Sequence, residues 1–466
     1  MMLRSHSAML ATALVVTILG GTEVAMAQSR TLFINDDHIA STDMERTWHG
    51  FTKHPGNPLV RPDQPWEGKV VYCYGTCMLD DEGYRWYYLS IFTTESGKVR
   101  FAVCLATSQD GITWVKPELG AVEFAGSTAN NIVMYDACIP SVIKLADEPD
   151  PAWRYRMLYW NLTGGPSGYY LAHSPDGVRW QQHDANPVWA GPAGGTDPNG
   201  PGDVINTFFD AATDRFVAFA KVRRSEVFGN GRIVARGESP DAISWSVPEV
   251  VLVPDERDPQ GATQFYGMAA FPYEDLYLGL LWVYHTDADT IDVQLAWSRD
   301  GRQWQRSEAR NAVIELGPAG SWDAGMILTV QSPIVLADEV RVYYSGWTGG
   351  HEEGEQTAAM GLASMRRDGF VSMDAGERWA SLLTTPMSCG RSLLVNADCS
   401  DGELRAALLD ADGEPIRGLS AARCTPIQGD GLRHEVRWPG AELPVGEPVR
   451  VRVTARQARL FSLWFE

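Results

Sequence analysis

The chain spells Ser-x-Asp-Gly-x-x-Trp, or a close variant, again and again. TSQDGITW stands at residues 107–114, HSPDGVRW at 173–180, ESPDAISW at 238–245 and WSRDGRQW at 297–304, with a looser copy, MRRDGFVSM, at 365–373. The four clear copies recur about every 60–66 residues. A repeat of this length makes each unit one supersecondary module that cannot bury its apolar face alone. Such modules stack as a solenoid, a propeller or an array.

The segments between the copies choose among these. Residues 84–90 and 100–106, 155–160 and 168–173, 216–222 and 232–236, 277–284 and 291–297, and 340–346 and 358–364 are short, aromatic-rich and alternating. That is the composition and period of strands. Each unit then holds about four short strands, an antiparallel sheet that packs around an axis as a propeller blade. The expectation is an all-β protein: a five-bladed β-propeller over residues 28–375, followed by a small β-sandwich over 376–466. Within each copy, Asp accepts from backbone groups two residues on and Gly supplies a positive φ, so the motif makes the turn into the outermost strand. Its Trp packs between neighbouring blades. The segment with Leu32-Phe-Ile-Asn is expected to give a strand that completes the last blade.

Beyond residue 374 the pattern changes to clean alternation at 392–396, 404–410, 434–438, 449–453 and 460–465, separated by Gly- and Asp-rich turns. This is the small sandwich. No Pro/Ser-rich linker precedes it, and no exposed aromatic row marks it as a glycan binder, so its expected role is to buttress the propeller.

At the N-terminus, Arg4, an apolar run over residues 8–21 and the small-x-small triplet Ala25-Met26-Ala27 have the layout of a secretory signal peptide, residues 1–27. The run is too short for a membrane span. A secreted or periplasmic location is expected. The net charge of −20 disfavours nucleic acid or an anionic membrane as partner, since phosphates would be repelled. Of the seven cysteines, Cys73, Cys77, Cys104 and Cys138 suit buried thiols, while a bridge among Cys389, Cys399 and Cys424 is open.

Inner strands of a propeller converge on its axis, so residues distant in sequence meet there. Three of the five inner strands open with an acid: Asp136, Asp203 and Asp323. Asp is unfavourable in strands, so these positions call for a reason. Carboxylates facing one cavity are what hydrolysis of a glycosidic bond needs, one protonated and one ionised. Around them at the same level stand Trp66, Tyr74, Tyr266 and Trp322, whose flat rings suit sugar faces. Asn206 and Gln264 offer hydroxyl partners, and His285, His351 and Glu352 end second strands that also reach the funnel. Lys221-Val-Arg-Arg could supply cations to an acidic sugar, but the blander reading of a solvated charge run is favoured.

Five units with acidic inner strands, Leu32-Phe-Ile-Asn-Asp, His54-Pro-Gly-Asn-Pro, the repeated turn motif and a terminal sandwich together resemble the propeller glycosidases of glycoside hydrolase families 32 and 43. The likeness is to exported bacterial proteins with a family 32 N-terminal-like domain. It implies a base or nucleophile on blade one, a pKa-tuning acid on blade two and a proton donor on blade three. Asp136 fills the second place and Asp203 the third, with Asp for the usual Glu, while blade one offers only Glu67, just upstream. The family 32 signatures Trp-Met-Asn-Asp-Pro and Glu-Cys are absent. The expected function is a secreted glycosidase that uses Asp203 with Asp323 as central pair and Asp136 or Glu67 assisting. Its substrate is a poly- or oligosaccharide and it requires no cofactor. A structural Ca²⁺ would suit the acidic channel, though no ligand loop is legible. The alternatives are a non-catalytic carbohydrate-binding propeller and a polysaccharide lyase on the same scaffold.

Overall fold

The computed structural model describes residues 29–162, 164–192 and 199–466. The expected signal sequence, 1–27, lies outside the described residues. The fold is all-β, a propeller-like ring of meanders with a sandwich beside it. Antiparallel pairing runs Val70–Tyr72, Gly83–Thr93, Val99–Ser108 and Ile132–Tyr135 in the first meander. The second contains Ala137–Lys144, Tyr155–Asn161, Gly168–Ser174 and Gln181–Gln182. The third contains Ile205–Asp210, Arg215–Val222, Ile233–Ser239 and Glu249–Leu252. Thr263–Tyr273, Leu276–His285, Thr290–Ser298 and Gln305–Arg306 make the fourth. Met326–Thr329, Glu339–Trp347 and Ala358–Arg366 make the next.

Its outermost strand is Thr52–Lys53, contributed from near the N-terminus. Neighbouring meanders touch through short parallel contacts, Ile291 to Met326 and Ala358 to Val70. The N-terminal closure therefore exists, but not where the sequence placed it. Thr31–Leu32 pairs with Ala458–Phe465 in the sandwich instead. Phe33 explains the preference: it is fully buried in the sandwich core with Leu393, Val453 and Leu463.

The repeated motif does what its chemistry predicts. Asp110 Oδ1 accepts from the amides of Ile112 and Thr113 at 2.8 and 2.7 Å, and the Ser108 hydroxyl accepts from Gly111 N at 2.9 Å. Asp176, Asp241 and Asp300 repeat the pattern. Gly111, Gly177 and Gly301 take φ of 73°, 72° and 68°, and Ala242 fills the same place at 67°. Each motif Trp lands on an aromatic of the preceding meander. Trp114 meets Tyr343, Trp180 meets Tyr87, Trp245 stacks on Trp189 and Trp304 meets Phe219, with centroids 4.7–6.2 Å apart. The motif is thus the joint between sheets.

The sandwich is one continuous curled sheet. Its 18-residue strand Leu393–Asp410 pairs with Ala458–Phe465 in its first half and with Pro448–Arg456 in its second, which carries the sheet round from one layer to the other. Ile39–Thr42, Glu45–Trp48 and Val371–Ala375 join it from the N-terminal side and the end of the ring. The two parts meet through Asp368, in the fifth copy of the motif. Its carboxylate, 1 % exposed, receives Arg30 at 2.8 Å, Ser462 Oγ at 2.6 Å and Tyr273 Oη at 2.8 Å. All seven cysteines are free thiols, so the open question of a bridge among Cys389, Cys399 and Cys424 resolves to none.

Candidate functional site

The third meander builds the centre of the site. The chain enters its inner strand through Gly202, where a Cβ would stand 2.6 Å from the Lys221 carbonyl oxygen. Only a residue without a side chain lets the backbone pass so close. The next residue, Asp203, projects into a cavity of about 420 Å³ bordered by Trp160, Lys221, Arg223 and Arg224. Lys221, at the end of the second strand, places Nζ 2.8 Å from Asp203 Oδ1. The Asp203 side chain is 56 % exposed, yet protein surrounds it closely enough for burial to bear on its pKa. An open-topped pit has both properties. Burial alone would raise that pKa; the charge and hydrogen bond of Lys221, helped by Arg232, outweigh it and hold the carboxyl below its ordinary range.

Residues of other meanders adjoin Asp203 and Lys221. Lys221 Nζ lies 4.3 Å above the ring of Tyr266, from the fourth inner strand. The Tyr266 hydroxyl meets His351 Nε2 at 3.2 Å, and His351 Nδ1 meets Glu352 Oε1 at 2.9 Å. Glu352 is largely exposed at the rim, its amide held by the Asp289 carboxylate. From the first meander come Tyr72 and Tyr74. Burial and then Tyr266, with smaller effects from Tyr72 and Asp203, push the phenol of Tyr74 far up. Burial and the Asp203 charge likewise raise Cys138, to about 12, from the second. Gln264 Oε1 accepts from Arg232 Nη1 at 2.8 Å, and Arg232 lies over Tyr266 and Tyr284. Thus Asp203, Tyr74, Gln264, Tyr266, His351 and Glu352, all named from the sequence, lie in one connected network of contacts.

The remaining expected residues go elsewhere. Asp323 is 3 % exposed; it pairs with Lys53 Nζ at 2.5 Å and receives Ser321 Oγ at 2.9 Å and Tyr344 Oη at 3.3 Å. Trp322 stacks on Tyr344 beside it. Among the described residues Asp323 and Asp203 share no partner, so the expected central pair is not brought together. The cause is Lys53: the strand that closes the ring carries a cation to Asp323 and seals it into the fifth meander. Glu67 has no exposed surface; Tyr88 Oη, Lys116 Nζ and the amides of Asp63 and Gln64 occupy its oxygens. Trp66, next to it, is buried and donates to Asn131. Both hold the entry loop of the first meander rather than facing the pit. Asp136, at φ 55°, forms a two-pronged pair with Arg100 at 2.7 Å. His285 is engaged by Asp292 at 3.0 Å. Asn206 is 2 % exposed, with no hydrogen-bond partner for Nδ2, and is not among the residues bordering the cavity.

Two features escaped the sequence reading. Lys221 and Arg224 are each only 8 % exposed, so the basic stretch is not a solvated run. The signal was present: Lys221 interrupts an alternating apolar strand. Arg257-Asp258-Pro259 also occurs, in letters the Arg-Asp-Pro of family 32. It does not supply a pit acid, because Asp258 is 5 % exposed and clamped by both Nη atoms of Arg306 at 2.7 and 2.9 Å. Among the described residues no group of three or more His, Cys, Asp or Glu gathers as a metal site.

No protein-family model matches the chain, and no curated protein matches it. Several solved structures overlap it in part. An N-acetylgalactosamine deacetylase from F. plautii is 18 % identical, covering 71 % of this chain and 96 % of its own, with a TM-score of 0.43. A β-1,2-mannobiose phosphorylase from Listeria innocua is 12 % identical over 68 % of this chain and 96 % of its own, at 0.49. A glycosyl hydrolase from Bacteroides ovatus is 14 % identical over 68 % and 94 %, at 0.47. Likeness at this level leaves the function to be argued from the pit itself.

Proposed function

We propose that the chain is an exported glycoside hydrolase on a five-bladed propeller, with residues 1–27 as its secretory signal, 28–375 as the catalytic propeller and 376–466 as a buttressing sandwich. The observation that carries the reading is Asp203: a carboxylate open to a cavity of sugar size, held ionised by Lys221, with Trp160 on the cavity wall and Tyr266 beneath the Lys221 ammonium. An acid kept charged suits a base or nucleophile rather than a proton donor. Glu352, across Tyr266 and hydrogen-bonded to His351, takes the donor role. In that role Glu352 passes a proton to the leaving glycosidic oxygen as the bond from C1 breaks. With Asp203 as base, a water loses a proton to it and its oxygen bonds to C1. The net change is addition of one water. Gln264 and the tyrosine hydroxyls orient the sugar by hydrogen bonds.

Screening the purified protein against a panel of poly- and oligosaccharides tests this. The expected result is release of reducing ends, lost in Asp203→Asn and in Glu352→Gln. Hydrolysis unchanged in both variants overturns the assignment.

A second reading, carbohydrate binding without cleavage, is favoured by the sealing of Asp323 and Glu67, which leaves the pit with fewer acids than the sequence promised. In that case glycan binds, no bond is cut, and no unsaturated product absorbing in the ultraviolet appears, which also separates it from a lyase.

A further inference from the structure

The protein carries 59 acidic residues against 39 basic ones, yet its pit is cationic. Lys221 is matched by Asp203. Among the described residues the other three cations have no acidic partner. Arg223 donates to the carbonyl of Asn230, Arg224 to the carbonyls of Arg223 and Asn199, and Arg232 to the amide oxygen of Gln264. All of these acceptors are neutral. Among the described residues none of the three guanidinium groups forms an ion pair, although the molecule forms many elsewhere.

Burial makes the absence costly. Arg224 is 8 % exposed, and Nε of Arg232 is buried with no partner. A buried donor left unsatisfied costs about 1–3 kcal/mol, more when it is charged. The cations also crowd each other. Burial and then Arg232 pull the pKa of Arg223 down, against the opposing pull of Asp203 and Tyr266. A cluster of like charges at a cavity, here Lys221, Arg223 and Arg224 on its border with Arg232 close by, is relieved by an anion seated among them, and guanidinium groups match carboxylate and sulfate oxygens two at a time.

We propose that the pit takes an acidic sugar, a residue bearing a carboxylate or a sulfate ester, with Arg223 and Arg232 grasping the anion while Asp203 stands at the neighbouring bond. This rests on the reading of the pit as a glycan site and names its substrate class. The overall negative charge of the protein does not oppose it, because charges more than a Debye length of about 8 Å away are screened at physiological salt and the guanidinium groups act at contact.

Calorimetric titration of the full chain tests the inference. The ligands are oligogalacturonate, oligoguluronate and chondroitin sulfate disaccharide, each beside its carboxyl-reduced or desulfated counterpart, with sodium phosphate and sodium sulfate as free-anion probes. At least one acidic oligosaccharide is expected to bind ten- to a hundredfold more tightly than its neutral counterpart, as one or two charge-assisted hydrogen bonds provide. Arg223→Gln, at an exposed position, and Arg232→Gln should each erase about tenfold or more of that preference. Equal binding of acidic and neutral members, or a preference untouched by Arg223→Gln, overturns the inference. So does binding of free phosphate or sulfate with no acidic oligosaccharide bound. Because binding is read apart from cleavage, the two proposals fail separately. Tight binding of an acidic oligosaccharide that is never cut sinks the hydrolase and upholds the anion site. Cleavage of neutral sugars alone does the reverse.

Discussion

Lys221 Nζ stands 2.8 Å from Asp203 Oδ1 on the floor of the pit, and the same ammonium lies 4.3 Å above the ring of Tyr266. One cation from the third meander therefore links the acid of its own inner strand to the aromatic wall of the next. It fixes the protonation state on which the proposed chemistry depends.

A pH profile reads that link. Asp203 has a depressed pKa, so it stays ionised until the pH falls below the ordinary aspartate range. The acid limb set by this group therefore lies low in the native protein. Lys221→Met removes the largest stabiliser of the charged form, leaves burial unopposed by it, and moves the limb to higher pH. Activity at neutral pH should also fall, by about tenfold or more, as expected on losing a charge-assisted hydrogen bond. Steady-state rates between acid and neutral pH for the two proteins measure both effects.

His285 gives a stability prediction of opposite sign. The hydrogen bond that its ring donates to Asp292 raises its pKa, with burial opposing and the Asp292 charge adding to the rise. Protons are held more tightly folded than unfolded. The resulting stability is present below the unfolded histidine pKa of about 6.5 and is lost as pH rises through the folded value. Asp292→Asn should lower the melting temperature at mildly acidic pH more than at pH 9, and NMR titration should show the His285 pKa falling.

The repeated turns differ in what they tolerate. At Gly111, φ is 73° and a Cβ would stand 2.3 Å from Tyr343 Oη, the hydroxyl that donates to the Gly111 carbonyl at 2.8 Å. Gly111→Ala strains the turn and breaks the bridge to the neighbouring meander, costing about 3 kcal/mol or more. At Gly301 the nearest atom to a new Cβ is Arg236 Nε at 3.4 Å, an ordinary contact. Gly301→Ala should cost only the backbone strain, about 1–2 kcal/mol. Denaturant unfolding of the pair measures the difference.

Asp368 joins the ring to the sandwich through Arg30, Tyr273 and Ser462. Asp368→Ala leaves Arg30 and two hydroxyls facing an empty site at the seam, a loss of about 3–5 kcal/mol for a broken buried pair. Calorimetry should then show a lower melting temperature, with the sandwich transition separating from that of the ring.

The scaffold was legible because its signals are local. Ser-x-Asp-Gly-x-x-Trp specifies a turn by chemistry within a few residues, and alternating aromatics specify the strands around it. The strand that closes the ring was misplaced because Thr31–Leu32 and Thr52–Lys53 are both short, and only long-range pairing decides which sheet each joins. The site was half legible. Position on an inner strand gathered Asp203, Gln264 and Tyr266, which the structure places near one another. It could not distinguish Asp203 from Asp323, since what separates them is a partner far away in sequence: Lys221 leaves Asp203 open, while Lys53 seals Asp323. The same blindness hid the burial of Lys221 and Arg224, whose partners, Asp203 and the carbonyl of Asn199, are distant in the chain.

Comparing Asp203→Asn with Asp323→Asn on an oligosaccharide the native protein cleaves tests the account most directly. The account predicts that Asp203→Asn binds the sugar, keeps its melting temperature within a few degrees and loses at least about a thousandfold in kcat. Asp323→Asn, in contrast, should melt earlier while whatever remains folded still cleaves. A folded Asp203→Asn protein that hydrolyses at the native rate contradicts it.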